Sequence, residues 1–73
     1  MQKYGNLSGN SGIMAFETGA DFIKVQFKDG DIYTYTALSA GAQVIARMMQ
    51  LARAGRGLAT FINTNKPRYA QKG

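Results

Sequence analysis

Apolar and polar side chains alternate with a two-residue period from Phe22 to Lys28, where Ile23, Val25 and Phe27 interleave with Lys24, Gln26 and Lys28. That pattern predicts a strand with one buried face. Ile32-Tyr33-Thr34-Tyr35-Thr36, rich in β-branched and aromatic residues, predicts the return strand, and Asp29-Gly30 marks the hairpin between them. Parity selects the loop. A two-residue loop would set Tyr33 opposite Gln26 and Tyr35 opposite Lys24. A three-residue loop, Lys28-Asp29-Gly30 with Gly30 in the left-handed bulge position, sets Val25 opposite Tyr33 and Ile23 opposite Tyr35, and so keeps one face apolar. Ile13 to Glu17 predicts a further short strand, joined to the first by the turn Thr18-Gly19-Ala20-Asp21.

Beyond Thr36 the period changes. Ser39 suits the N-cap of a helix from about Ala40 to Ala54, with Val44, Met48 and Leu51, flanked by Ile45, Met49 and Ala52, on its apolar face. Gln43, Arg47, Gln50 and Ala54 fall on the opposite face. Gly55 is placed to end the helix in a left-handed cap, and Leu58, Phe61 and Ile62 predict a second, two-turn helix. The expected fold is α+β: a three-stranded antiparallel sheet with one main helix packed on one face and a short C-terminal helix. Residues 1–12 read as a polar N-terminal loop and residues 66–73 as a basic tail of a single domain spanning 1–73.

Composition narrows the chemistry. The 73 residues include no His, Cys or Trp, and the acids are Glu17, Asp21, Asp29 and Asp31. With no imidazole, no thiol and carboxylates only at turns and a strand end, no general base or activated nucleophile is visible, so the chain is read as non-enzymatic. Structural zinc and an EF-hand are excluded on the same inventory, and no cofactor is expected. Absence of cysteine suits a reducing compartment. The chain has no apolar run of membrane-spanning length and begins without an apolar signal core, so a cytoplasmic protein is expected, without membrane attachment. Asn6-Leu7-Ser8 matches the glycosylation pattern, read as chance without a secretion signal.

Charge then divides the chain. Residues 1–36 carry three lysines against all four acids, a formal −1, whereas residues 37–73 carry Arg47, Arg53, Arg56, Lys66, Arg68 and Lys72 with no acid, a formal +6. Such asymmetry points to a polyanionic partner. Arg53, Arg56, Lys66, Arg68 and Lys72 are the candidate phosphate contacts, and Tyr69 among them is the candidate for stacking on an unpaired base. The plain alternative is a solvated basic surface. Gly55-Arg56-Gly57 admits two readings, a backbone approach to phosphate or a helix cap followed by a helix entry, and the missing Lys-Ser/Thr ending favours the cap. Tyr33 and Tyr35, sharing the face of Ile23, Val25 and Phe27, are read as core and not as a stacking platform.

The order Ser11-Gly12-Ile13, Ile23-x-Val25-x-Phe27, Gly30, Tyr33-x-Tyr35, a helix ending near Ala52 and Gly55, then Gly57 and Phe61-Ile62-Asn63 resembles the KTSC domain. This short module is named for its place at the C-terminus of some lysyl-tRNA synthetases. The resemblance spans roughly residues 8–70. Leu38-Ser39 stands where similar domains commonly have Val-Pro, and the link from Gly55 to Phe61 is longer than theirs. The resemblance implies a small standalone domain and proximity to RNA. The functional expectation is a non-catalytic binding module for RNA or single-stranded nucleic acid. The alternative is a protein-interaction module, either a homodimer or a partner of an acidic protein, motivated by the small core and by Ile32 on the outer strand face.

Overall fold

In the computed structural model, which describes residues 1–7 and 12–73, the alternating segment becomes the central strand of an antiparallel meander. In chain order the elements are β1 (Gln2–Lys3), β2 (Ile13–Thr18), β3 (Phe22–Phe27), β4 (Ile32–Thr36), α1 (Ala37–Ala40), α2 (Ala42–Ala54), α3 (Leu58–Asn65) and β5 (Gln71–Lys72). The class is α+β, but the sheet has five strands in the order β1-β2-β3-β4-β5 and not the three expected. Both additional strands lie in the segments whose sequence reads as polar loop and basic tail. Part of that loop, and Ser11 of the resemblance, falls on residues 8–11, outside the described residues.

The hairpin has the bulged register, with Val25 opposite Tyr33 and Ile23 opposite Tyr35. The Phe27 N–H donates to the Asp31 carbonyl at 2.9 Å, the Gly30 N–H donates to the Phe27 carbonyl at 2.9 Å, and Gly30 takes φ 97°. Asp29 Oδ1 accepts the Asp31 N–H at 3.0 Å, an Asx-type bond that stiffens the turn.

Each extra strand has a local cause. Tyr4 is a core residue, 2% exposed, with its ring edge-on to Phe16 at a centroid distance of 6.4 Å. Its N–H donates to the Met14 carbonyl at 3.0 Å, and burying the ring draws Gln2 and Lys3 alongside Phe16 and Ala15. At the opposite edge, the backbone groups that β4 would leave open are satisfied by the tail. The Ala70 N–H donates to the Thr34 carbonyl at 2.7 Å, and Ile32 and Gly73 exchange two bonds of 2.7 Å.

The expected helix from Ala40 to Ala54 is instead two. Thr36, not Ser39, is the N-cap of α1: its Oγ1 accepts the Ser39 N–H at 3.0 Å while Ser39 Oγ accepts the Thr36 N–H at 3.1 Å. This reciprocal box starts the chain turning three residues early. Gly41, at φ 100°, then breaks the helix before α2 begins. Ile45, Met48 and Ala52 of α2 are buried, while Gln43, Arg47, Gln50 and Ala54 face solvent as expected. The buried three pack with Phe16, Ile23, Val25 and Tyr35 of the sheet and Leu58 of α3 in one core. Among the described residues, no helix is long and apolar enough to cross a membrane.

Candidate functional site

A groove of about 940 Å³ opens between the β3–β4 hairpin, the end of α3 and the segment from Lys66 to Tyr69. The local sequence explains its walls. α3 stops at Lys66, which takes a left-handed conformation at φ 48°, its N–H donating to the Ile62 carbonyl at 2.8 Å. Pro67 cannot continue a helix, so the chain turns back across the sheet. Ser39 Oγ donates to the Arg68 carbonyl at 2.9 Å and fixes that return from α1.

Phe27, Tyr33 and Tyr35 line the groove from the hairpin, Ile62 and Pro67 line it from the end of α3 and the turn after it, and Tyr69 stands in it half-exposed. Tyr33 lies edge-to-face with Phe27 at 5.4 Å and with Tyr69 at 5.0 Å. Tyr35 stacks at 18° to Tyr33, with centroids 6.4 Å apart. Lys28, Lys66 and Arg68 are the lining cations and Asp29 the lining carboxylate.

Of the six candidates read from sequence, Lys66, Arg68 and Tyr69 meet in this groove. Lys72 sits on β5 with its Nζ 3.6 Å from Asp31 Oδ2 and 5.4 Å from the Tyr33 ring centroid. Its ammonium is held above the ordinary lysine value, first by contact with the Tyr33 hydroxyl and then by the charges of Tyr33 and Asp31. Arg53 and Arg56 are not among the groove residues. Arg53 occupies the last turn of α2, where a cation complements the helix dipole. The Gly55 N–H donates to the Leu51 and Ala52 carbonyls, so it serves the helix cap and is not free for phosphate.

Sequence reasoning misses Lys28, Tyr33 and Asn63. It treats the hairpin as purely structural and Tyr33 as core. In the fold Tyr35 is buried, while Tyr33 is half-buried and reaches the groove, because it lies two pairs nearer the turn of the hairpin. Asn63 belongs to the triplet Phe61-Ile62-Asn63, whose spacing stands out in the sequence but announces no role.

Burial, followed by the charges of Tyr33 and Tyr69, raises the Tyr35 hydroxyl above the tyrosine value of 10.0. The folded state therefore favours the neutral phenol. This contribution is complete below the unfolded value and is lost as pH rises through the folded one. Stability should fall above about pH 10, and Tyr35→Phe should flatten that alkaline limb in a series of urea melts. An unchanged limb would show that Tyr35 does not titrate with unfolding.

Among the described residues, no cluster of His, Cys, Asp or Glu could hold a metal ion. Comparison with known proteins finds no matching family model, curated protein or solved structure.

Proposed function

We propose that this chain is a non-catalytic module that binds single-stranded nucleic acid, RNA foremost, in the groove beside Tyr69. The observation that carries this reading is the meeting of Lys66, Arg68 and the half-exposed Tyr69 with Lys28 around one aromatic surface. Cations for the backbone and an accessible ring for a base are the two components of single-strand recognition. A concave groove offers no protruding element for the major groove of a duplex, which favours the single strand. The KTSC resemblance lends support through the synthetase association alone.

The contact set differs from the five cations read from sequence. Arg53 and Arg56 fall outside the groove and Lys72 is engaged by Asp31, leaving Lys28, Lys66 and Arg68. At ~0.7 per phosphate on a single strand, three contacts give a log–log salt slope of about −2. Fluorescence anisotropy with labelled single-stranded RNA, single-stranded DNA and duplex DNA at two salt concentrations tests this. Single strands should bind more tightly than duplex, and Lys66→Ala with Arg68→Ala should reduce the slope to about −0.7. No binding at low salt, or binding unaffected by that double substitution, overturns the proposal.

A further inference from the structure

Within the groove, the charges are unequal to those of an ordinary internal phosphate. Lys28, Lys66 and Arg68 against Asp29 leave a formal +2, with Lys72 and Asp31 paired to one another outside this set. An internal phosphodiester brings a single negative charge, whereas a phosphate monoester carries roughly −1.5 to −2 at neutral pH. The monoester is the closer match. Lys66 and Arg68 flank Pro67 in the segment after α3 and Lys28 follows β3 at the hairpin, so the lining cations come from two separate segments of the chain. Arg68 supplies the planar fork suited to two phosphate oxygens.

The remaining surface suits a large flat ring. The volume of about 940 Å³ lies at the upper end of small-molecule sites, which run from roughly 300 to 1,000 Å³. Tyr69 stands at 81° to Tyr33 and 87° to Tyr35, so rings meet the groove in two orientations and can contact a base on its face and on its edge. A purine covers more of this apolar surface than a pyrimidine and gains accordingly. Asn63, exposed on the same groove, offers a donor and an acceptor to the edge of the base. Asn65, two residues on, is not among the groove residues, and its side-chain amide donates to the Phe61 carbonyl at 3.1 Å.

We infer that the groove is a site for a purine nucleotide bearing a phosphate monoester, either free or at the end of a strand: the base against Tyr33 and Tyr69, the phosphate on Lys66 and Arg68 with Lys28 from the hairpin. This rests on the single-strand reading and specifies its ligand unit.

Isothermal titration of the full chain with AMP, adenosine, CMP and ribose 5-phosphate tests it, alongside short oligoadenylates with and without a 5′-phosphate. AMP should bind about fivefold or more tightly than adenosine, since the phosphate adds charge-assisted hydrogen bonds. CMP and ribose 5-phosphate should both be weaker than AMP. Tyr69→Leu, which keeps apolar bulk, should weaken AMP by about fivefold or more, the lower end of a lost base–aromatic stack. Lys66→Gln should reduce the difference between AMP and adenosine, with thermal melts verifying that both variants fold.

Adenosine equal to AMP, or ribose 5-phosphate equal to AMP, overturns the inference. An oligonucleotide that binds with the expected salt slope, ignores its own 5′-phosphate and is not displaced by AMP removes it while leaving single-strand binding intact. AMP binding without oligonucleotide binding supports the nucleotide site and removes the single-strand reading. A 5′-phosphorylated strand tighter than AMP identifies the strand end as the source, and the reverse order identifies the free nucleotide.

Discussion

Tyr4→Ala is expected to cost about 3–5 kcal/mol of folding stability, the range for truncating a buried aromatic ring. At ~0.05–0.15 kcal/mol per residue, a chain of this length has roughly 4–11 kcal/mol in total, so the variant should lose from about a quarter to all of its stability. Three interactions disappear at once. The ring is almost wholly buried against Phe16, the β1 pairing depends on it, and the hydroxyl accepts the Leu58 N–H at 3.4 Å. That bond supplies an acceptor at the start of α3, where the N-cap residue Gly57 makes no side-chain cap bond. Tyr4→Phe removes the hydroxyl alone and should cost about 1 kcal/mol. Urea denaturation of both variants separates these contributions, and a loss under about 1 kcal/mol for Tyr4→Ala would refute the place given to Tyr4 in the core.

The second large effect is expected at Gly55. Its φ of 78° is costly for any residue with a β-carbon, and an added Cβ would stand 3.2 Å from the Gly5 Cα. Leu7 Cγ, at 3.4 Å, belongs to an exposed side chain that can swing away, but the Gly5 backbone cannot. The same stretch is held by the Leu7 N–H donating to the Gly55 carbonyl at 2.7 Å. Gly55→Ala should therefore cost about 1 kcal/mol for the left-handed backbone and about 1–3 kcal/mol more for the forced separation. Gly30 is the control: its φ is 97° with nothing within 4 Å of the added atom, so Gly30→Ala should cost the backbone term only. Equal losses at the two positions, read from thermal melts, would show that the approach of Gly5 to Gly55 contributes nothing.

The inner hairpin is legible in the sequence because its information is local. Alternation over residues 22–28 and the turn pair Asp29-Gly30 admit one register that keeps a face apolar, and Ile23 opposite Tyr35 results. The C-terminal cap at Gly55 is legible for the same reason. β1 and β5 are not, because two-residue strands carry no period and exist only where a neighbour supplies their partners. Tyr4 sits in a polar stretch and becomes core through contacts with Phe16 and Leu58, which no nearby pattern announces. The start of the helical region is ambiguous in sequence because Thr36 and Ser39 are both competent caps, and Gly41 divides a stretch that otherwise reads as one helix. The site divides likewise: Lys66, Arg68 and Tyr69 are sequence neighbours and can be grouped, whereas Lys28 joins them only through the folded return of the chain past α3.

The bond from Leu58 to the Tyr4 hydroxyl also has a kinetic consequence. It joins residues 54 positions apart. Closing such a segment from an open chain costs about 2.5 kcal/mol more in entropy than closing a three-residue hairpin loop, from the logarithmic dependence on length. The hairpins of the meander are therefore accessible early, while the two distant segments meet cheaply only after the intervening strands and α2 have already brought them near. A chain emerging during synthesis can assemble its central strands, but it cannot seat the Tyr4 ring on α3 until Leu58 has been made.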